Sequence, residues 1–459
     1  MEQRYDAIVI GTGQAGPPLA VRLGTAGRKV AIIERGRVGG TCVNNGCIPT
    51  KALIASARAA HVARRGSELG VVLDSTVRMD MPRVKARKDE IVAQSNRGVT
   101  EWLQKTPNVT LISGHARFAG AKTVQVGDTT LHADQIFINV GGRALVPDLE
   151  GLKDVPYLTS ETMMNVDFLP EHLVVVGGSY VGLEFAQMYR RFGSRVTVVE
   201  MGPRLIARED DAVSTAVQST LEAEGIAFRL NATCMRAAQR DDGVRVGVSC
   251  EQEPREIDGS HVLLAVGRVP NTHDLGLETT GIATDARGYI QVDDTLATSA
   301  PGVWALGDAN GRGAFTHTSY NDFEIVAANL LDGENRRVSD RITAYALYTD
   351  PPLARIGMSE REVRASGRKA LVATLAMTRV GRARERSETQ GWMQVLVDAA
   401  DKRILGAMLL GIEADEAIHC MLDVMYARAP YTVITRAMHI HPTVSELIPT
   451  LLAKLEPLV

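Results

Sequence analysis

Residues 7–16 read AIVIGTGQAG, an apolar run followed at once by glycines at positions 11, 13 and 16, and a second apolar run at 30–33 ends at Glu34. A strand, a glycine-rich turn, a helix, a second strand and an acidic residue, in that order, indicate a βαβ unit that binds a dinucleotide. The order returns at residues 173–182, LVVVGGSYVG, with an apolar run at 196–199 that ends at Glu200. In both copies the acid lies 23 positions after the first glycine. The repeat predicts an α/β fold with two doubly wound nucleotide-binding domains.

The glycines of each unit have separate physical reasons. Gly11 permits the tight turn, Gly13 lets the backbone approach a pyrophosphate, and Gly16 allows the helix to pack closely on the strand. The helix that follows offers unpaired N–H groups and the positive end of its dipole to the phosphates. Glu34 is expected to accept hydrogen bonds from the adenosine ribose. The corresponding glycines of the second unit are Gly177 and Gly182.

The second unit also indicates which nicotinamide nucleotide it binds. Ser179 replaces the middle glycine, and its small side chain still allows a phosphate to approach. Glu200 is expected to accept both ribose hydroxyls of NAD and to repel the additional phosphate of NADP. Arg195 and Arg204 lie nearby in the sequence and could offset this repulsion. The pattern favours NAD over NADP.

The chain of 459 residues has room for about three domains. A charged helix is predicted over residues 84–105, and a strand-like stretch at 303–308 is expected to return to the first domain. From about residue 342 strands and amphipathic helices alternate without glycine fingerprints, which indicates a third, α+β interface domain. The predicted limits are 1–149 and 271–341 for the two parts of the first nucleotide-binding domain, 150–270 for the second, and 342–459 for the interface domain.

Composition excludes several classes of protein. The net charge of −3 offers no strong field to nucleic acid or to an anionic membrane. We find no run of about 18 apolar residues, and the apolar strand that follows Asp6 leaves no room for a signal peptide. Five cysteines, an odd number in a large chain, argue against a secreted disulfide scaffold. A cytoplasmic protein without nucleic-acid or membrane partners is therefore expected.

The segment 39–51, GGTCVNNGCIPTK, holds two cysteines five positions apart. Five residues of ideal helix rise about 7.5 Å, whereas the Cα atoms of a disulfide lie roughly 4.4–6.8 Å apart. A bridge between Cys42 and Cys47 therefore needs a distorted first turn, which residues 44–46, NNG, can supply. Such a bridge would be accessible and redox-labile, and a helix N-terminus would favour a thiolate. A zinc site, which lacks a second pair of ligands nearby, and a plain structural pair are the alternatives.

The cysteine segment and the two glycine fingerprints together resemble the pyridine nucleotide-disulfide oxidoreductases, the flavoprotein family of lipoamide dehydrogenase, glutathione reductase and mercuric reductase. The resemblance covers essentially the whole chain. It includes residues 305–308, ALGD, which are similar to the family's second FAD motif, residues 267–272, GRVPNT, and residues 441–446, HPTVSE. The resemblance implies an enzyme that binds FAD in the first unit and NAD(P)H in the second, with no metal site.

The resemblance also implies roles for individual residues. Cys47 would be the thiol nearest the flavin, able to form a charge-transfer complex, and Cys42 the interchange thiol that meets the substrate. Lys51 and Glu184 resemble the family's ion pair beside the flavin ring, and Tyr180 resembles an aromatic lid over the nicotinamide pocket. The other residues implied as contacts of FAD or NAD(P)H are Gly11, Gly13, Gly16, Glu34, Gly40, Thr41, Ala116, Asp308, Gly177, Gly182, Glu200 and Gly267.

His441 and Glu446 resemble the family's acid–base pair. A dithiol or disulfide substrate must exchange a proton with the sulfur under attack, and a histidine oriented by a carboxylate titrates in the useful range. In the family this pair comes from the other subunit, so the resemblance implies a homodimer.

The resemblance leaves the electron acceptor open between two classes. His441, Glu446 and the acidic Glu200 point to a small-molecule or lipoyl-protein dithiol or disulfide, as in lipoamide dehydrogenase. Residues 159–162, 208–210 and 350–353 look more like mercuric reductase, which points to a soft metal ion or another oxidant. The chain ends LEPLV, without the paired terminal cysteines that a mercuric reductase uses to deliver metal.

Overall fold

The first glycine fingerprint follows a buried strand of a parallel sheet. The computed structural model describes residues 1–249 and 255–459. All four side chains of strand Ala7–Ile10 are apolar and buried, as expected of a strand that is covered on both faces. The strand order is Val303–Ala305, Gln135–Ile138, Ala7–Ile10, Val30–Glu34 and Val109–Ser113, with every neighbouring pair parallel. The stretch that begins at residue 303 therefore returns to the first sheet, as predicted.

The second fingerprint occupies the equivalent place in a second parallel sheet. Its strand order is Leu158–Thr159, His261–Leu264, His172–Val176, Arg195–Val199 and Ala227–Arg229. The predicted α/β class with two doubly wound nucleotide-binding domains is confirmed.

The C-terminal part of the chain forms an antiparallel sheet. Its strand order is Ala344–Leu347, Leu353–Gly357, Ile404–Leu410, Trp392–Asp398, Ala370–Ala376 and Glu456–Pro457. The described residues also form three smaller sheets. In one, the strand order is Glu2–Arg4, Thr129–His132, Thr123–Val126 and Ala116–Gly120; in another it is Thr233–Arg240, Gly243–Ser249 and Glu256–Gly259. The smallest sheet pairs Gly142–Ala144 with Arg268–Pro270.

The described residues also form helices of very different length. They are Gly16–Thr25, Gly40–Asn44, Cys47–Arg64, Met81–Lys105, Tyr180–Phe192, Asp211–Ala223, Thr316–Ala327, Glu360–Ala365, Gly381–Glu385, Ala414–Ala417, His419–Tyr426, Thr432–Arg436 and Ile448–Leu452. The long charged helix begins three residues earlier than predicted, because the carboxylate of Asp80 accepts a bond from the N–H of Arg83 at 3.0 Å and caps it. Within residues 1–249 and 255–459, no helix has the length and apolar character needed to span a membrane.

One apolar core holds the three parts of the chain together. Leu53 and Ala57 of helix Cys47–Arg64 pack in the same buried cluster as Phe185 and Tyr189 of helix Tyr180–Phe192. Leu353 of the C-terminal sheet belongs to this cluster as well. Because close-packed interiors resist deformation, helix Cys47–Arg64, here called the redox helix, has a fixed position relative to both other domains.

Candidate active site

A cleft with a volume of about 880 Å³ opens at the carboxyl ends of the first parallel sheet. Its lining brings together twelve of the residues predicted from the sequence: Gly11, Gly13, Glu34, Gly40, Thr41, Cys42, Cys47, Lys51, Ala116, Tyr180, Glu184 and Asp308. The predicted residues that lie outside its lining are Gly16, Gly177, Gly182, Glu200, Gly267, His441 and Glu446. The cleft therefore joins the first glycine turn to the cysteine pair and to one helix of the second unit.

The first glycine turn is fixed by Asn139, which sequence reasoning missed. Gly11 has φ +102°, and a Cβ there would lie 2.3 Å from the carbonyl oxygen of Asn139. The Asn139 side chain accepts a bond from the N–H of Gly16 at 3.0 Å and donates one to the carbonyl oxygen of Leu306 at 3.0 Å. A buried amide thus connects the first fingerprint to the strand of the second FAD-like motif.

The acid of the first unit faces the glycine turn. One oxygen of Glu34 accepts bonds from the backbone N–H and the hydroxyl of Thr12, at 3.0 Å and 2.5 Å, and the other accepts from the N–H of Gly36 at 2.8 Å. A carboxylate retains further lone pairs, so it can also accept ribose hydroxyls. The site fits a dinucleotide such as FAD, because it combines a concave cleft, a glycine backbone at a helix N-terminus and an oriented carboxylate.

The two cysteines lie on separate helices rather than on one distorted turn. Helix Gly40–Asn44 ends after Cys42, and the redox helix begins at Cys47. Gly46 is required at the junction, because a Cβ there would lie 2.8 Å from the carbonyl oxygen of Thr41. The structure holds both cysteines as free thiols, which is the dithiol state of the predicted redox pair.

One hydroxyl group contacts both sulfurs. Thr316 Oγ1 is 3.1 Å from Cys42 Sγ and 3.1 Å from Cys47 Sγ. Thr316 is the first residue of helix Thr316–Ala327, and it was missed from the sequence because it lies 269 positions after Cys47. A hydroxyl has one proton, so Thr316 can donate a hydrogen bond to only one of the two sulfurs at a time.

The two sulfurs have opposite proton affinities. A hydrogen bond from Cys42, a hydrogen bond with Thr316 and the charge of Lys51 lower the pKa of Cys47 to about 6, against the opposing effect of burial. The hydrogen bond with Cys47, burial and the charge of the Cys47 sulfur raise the pKa of Cys42 well above its usual range. At neutral pH the pair therefore consists of a Cys47 thiolate and a Cys42 thiol. Because the two groups interact, their pKa values describe the titration of the pair and not of either cysteine alone.

This division predicts the pH dependence of thiol reactivity. In the reduced protein, the rate at which iodoacetamide alkylates Cys47 is expected to rise with pH through an inflection at about 6, because only the thiolate reacts. Mass spectrometry of the Cys47 peptide measures this rate. Thr316→Val keeps the shape of the side chain but removes the hydroxyl, so it is expected to move the inflection to higher pH. An inflection near the ordinary cysteine value of 9.0 in the wild type would contradict the assignment.

The Lys51–Glu184 ion pair joins the redox helix to the second unit. Lys51 Nζ lies 2.6 Å from Glu184 Oε2, and the Glu184 side chain is 8% exposed. Tyr348, another residue missed from the sequence, contacts both partners: its N–H donates to Glu184 Oε1 at 3.1 Å, and Lys51 Nζ lies 4.4 Å from the centre of its ring. The ammonium is thus held in the cleft by an anion and an aromatic face.

Asp308 also lines this cleft. Burial raises the pKa of its carboxyl group, and the Arg268 guanidinium, 3.5 Å away, opposes that effect. An acceptor oriented in this way suits a polyol chain such as the ribityl group of FAD.

The second glycine turn lies beside the cleft. Glu200 accepts a bond from the N–H of Gly178 at 2.6 Å and one from the N–H of Gly202 at 2.7 Å. A Cβ at Gly182 would lie 2.0 Å from the carbonyl oxygen of Gly177, so this glycine allows helix Tyr180–Phe192 to approach the turn. The second acid is therefore fixed against its own glycine turn, as Glu34 is in the first unit.

The predicted acid–base pair is present as a contact but lies apart from the cysteines. His441 Nδ1 is 2.8 Å from Glu446 Oε2, and the histidine side chain is 80% exposed. Neither residue lines the cleft of its own chain. Within the described ranges, no group of three or more His, Cys, Asp or Glu side chains is placed to hold a metal ion.

Comparison with protein families gives two matches that together cover most of the chain. Residues 5–322 match a family described as pyridine nucleotide-disulphide oxidoreductase. Residues 343–452 match the dimerisation domain of pyridine nucleotide-disulphide oxidoreductases.

The names of the individual relatives indicate three different activities. The chain is 36% identical to the probable pyridine nucleotide-disulfide oxidoreductase RclA of Escherichia coli, over 96% of this chain and 97% of the relative. It is 33% identical to a mercuric reductase of Streptomyces lividans, over 96% and 94% of the two chains. It is 32% identical to a dihydrolipoyl dehydrogenase of Cupriavidus necator, over 97% of each. A solved Cu(II) complex of RclA, described as an HOCl-induced flavoprotein disulfide reductase, superposes with a TM-score of 0.89 at 35% identity, over 98% of this chain and 99% of that one.

Proposed function

The chain belongs to the pyridine nucleotide-disulphide oxidoreductase family, an FAD-dependent family that uses NAD(P)H, and from this premise we propose that it passes electrons between NADH and a dithiol or disulfide substrate through the Cys42–Cys47 pair. The observation that supports the proposal is the Thr316 hydroxyl 3.1 Å from each sulfur, in a cleft that also contains the Lys51–Glu184 ion pair. A thiol and a thiolate arranged in this way suit reversible disulfide chemistry.

In this proposal, different residues of the cleft hold different parts of FAD. FAD, when bound, supplies the chemistry that links hydride transfer to thiol–disulfide exchange. Gly11 and Gly13 hold its pyrophosphate in this proposal, and Glu34 holds the ribose. Lys51, fixed by Glu184, presents a positive charge on the side of the cleft that contains Cys47.

The sulfur steps follow from the two pKa values. Cys42 is a thiol, so a base must remove its proton before its sulfur attacks one sulfur of the substrate disulfide. This attack forms a mixed disulfide and releases one substrate thiolate, which takes up the proton. The Cys47 thiolate then attacks the Cys42 sulfur, closes the Cys42–Cys47 disulfide and releases the second substrate thiolate, which is protonated from solvent. Two electrons leave the pair.

The base in this proposal is His441 of the partner subunit. Its imidazole is oriented by Glu446 and is exposed on one chain, which suits a residue that completes the cleft of another chain. The match to a dimerisation domain over residues 343–452 supports this arrangement.

A panel of acceptors tests the proposal. Purified FAD-loaded protein is assayed with NADH and either lipoamide or oxidised glutathione, and in reverse with dihydrolipoamide and NAD. Turnover of at least one disulfide that disappears in Cys42→Ser is the expected result. Rapid NADH oxidation by a metal ion, with none by any disulfide, would replace this proposal with the second candidate below.

The geometry at Glu200 predicts a preference for NADH over NADPH. Backbone N–H groups fix the carboxylate, and Arg204 is paired with Asp211 and so is less available to bind a phosphate. A repulsion of about 1.4 kcal/mol between the carboxylate and the additional phosphate is enough for a tenfold difference, so kcat/KM for NADH should exceed that for NADPH by about tenfold or more. Glu200→Ala is expected to reduce this ratio through better use of NADPH. An equal or higher kcat/KM for NADPH in the wild type would contradict the role of Glu200.

Reduction of Cu(II) or another soft metal ion is the second candidate. The solved Cu(II) complex of RclA, a relative over nearly the full length, favours it. Thiolates are ligands that Cu(I) prefers, and Cys47 is a thiolate above pH of about 6. In this reaction the dithiol reduces two Cu(II) ions to two Cu(I) ions, becomes the disulfide and releases its protons.

A separate assay tests the reduction of Cu(II). Cu(II) is added to the reduced protein, and a chelator selective for Cu(I) measures the product as a function of time. NADH-dependent Cu(I) production that Cys42→Ser abolishes would support it. Cu(I) production no faster than in a protein-free mixture of NADH and Cu(II) would exclude this candidate.

A further inference from the structure

Residues 208–210, the sequence RED, have no place in the mechanism so far, yet they include a completely buried acid. Glu209 has a side-chain exposure of 0% and comes just before helix Asp211–Ala223 of the second unit. A buried carboxylate requires hydrogen-bonding partners or a counter-ion, since desolvation is costly. The partners of Glu209 therefore indicate what this residue does.

Three side chains converge on the Glu209 carboxylate. The hydroxyl of Tyr180 donates to Oε1 at 3.0 Å, and the hydroxyl of Tyr345 donates to the same oxygen at 2.7 Å. Arg355 Nε donates to Oε2 at 2.6 Å, and the same guanidinium donates to Asp210 at 3.0 Å. Hydrogen bonds to an ionised acceptor are the stronger class, so the phenol of Tyr180 is firmly held.

Tyr180 is the only one of these partners whose ring lines the flavin cleft, as far as the described residues show. It is the first residue of helix Tyr180–Phe192, directly after the second glycine turn, where a nicotinamide nucleotide places its pyrophosphate. Glu184, one turn further on, already contacts Lys51 of the redox helix. A nicotinamide ring that passes from the second unit to the flavin must therefore pass the ring of Tyr180.

Tyr345 supports this arrangement from outside the cleft. Its ring meets that of Tyr180 edge to face, with centroids 5.7 Å apart and an angle of 82°. It stacks on Phe315 at 5.7 Å and 7°. The Tyr180 ring therefore rests against a group of rings that includes residues from all three parts of the chain.

We propose that Glu209 is a positioning residue, a latch whose buried carboxylate holds the Tyr180 ring across the nicotinamide entrance of the flavin cleft. The ring must leave Glu209 before the nicotinamide enters. Glu209 therefore sets the fraction of protein that is open to NADH, and it limits access of small solutes to the flavin. The inference rests on the proposed function in one respect, that NADH is the electron donor.

Tyr180→Phe tests the latch, because it keeps the ring and removes only the hydroxyl. Freed from Glu209, the ring should block the entrance less, so KM for NADH and the equilibrium Kd for NAD should fall about three- to tenfold. Iodide should quench the fluorescence of the bound flavin with a Stern–Volmer constant about twofold higher or more, because the open fraction rises; this readout does not depend on turnover.

Tyr345→Phe is the matched control, since it removes a hydrogen bond to the same carboxylate oxygen from a ring outside the cleft. It should leave Kd and the iodide constant near the wild-type values, whereas Glu209→Gln should shift both in the direction of Tyr180→Phe. Unchanged values in Tyr180→Phe, equal shifts in the two tyrosine variants, or a raised KM in Tyr180→Phe would each overturn the latch. Wild-type protein that holds FAD but is not reduced by NADH would overturn the proposed function, and the iodide result would still decide the latch.

Discussion

Replacing Cys42 by serine is expected to lower turnover with every disulfide acceptor by on the order of 10³-fold or more, because serine cannot form the mixed disulfide. The variant should keep its FAD, since the glycine turn, Glu34 and Asp308 are untouched. Reduction of ferricyanide by NADH should continue, because this dye takes electrons from a flavin directly. Turnover with lipoamide, FAD content and ferricyanide reduction are measured on the same preparation.

Cys420→Ser is the matched control. Cys420 lies on helix His419–Tyr426, and its thiol donates to the carbonyl oxygen of Ala417 at 3.4 Å, outside the cleft lining. This variant should retain wild-type turnover. Full activity of Cys42→Ser would remove Cys42 from the mechanism, and loss of FAD in that variant would show that its role is structural.

Replacing His441 by glutamine is expected to lower turnover with disulfides by about 10²- to 10⁴-fold, the range for removal of a general acid–base group. The loss should be largest near neutral pH, where the Cys42 thiol cannot ionise without a base. Glu446→Gln removes the orienting carboxylate but leaves the imidazole, so its effect should be smaller. Steady-state rates as a function of pH measure both variants.

Mixed dimers test whether the base acts across the subunits. A heterodimer of one Cys42→Ser chain and one His441→Gln chain would contain one complete site, built from the cysteines of the second chain and the histidine of the first. Random assortment of the two chains should then restore about a quarter of wild-type activity, although each variant alone is nearly inactive. No recovery in a verified heterodimer would place His441 in the cleft of its own chain.

Local sequence patterns predicted the elements that depend on local chemistry. The apolar runs at 7–10 and 173–176 form central strands of the two parallel sheets, because strands covered on both faces are nearly continuous runs of apolar residues. Lys51 and Glu184, which the family resemblance paired across 133 positions, lie 2.6 Å apart. His441 and Glu446 are in contact, while their catalytic role stays a prediction.

Residues whose function depends on distant contacts were missed. Thr316, Tyr348 and Asn139 occupy no periodic or motif position, and each acquires its role from a partner more than 100 positions away. In the sequence, the RED segment at 208–210 shows only a likeness to mercuric reductase. In the fold, Arg355 and Tyr345 of the C-terminal sheet contact Glu209, and the role proposed for this residue depends on these distant contacts.

Counting thiols during reduction by NADH tests the central claim most directly. Oxidised, FAD-loaded protein is titrated with NADH without oxygen, quenched with iodoacetamide at each step and digested for mass spectrometry of the segment that contains both cysteines. We predict that Cys42 and Cys47 change together from an unlabelled disulfide to two alkylated thiols as NADH is consumed. A flavin that is fully reduced while the Cys42–Cys47 segment stays unlabelled would contradict the account.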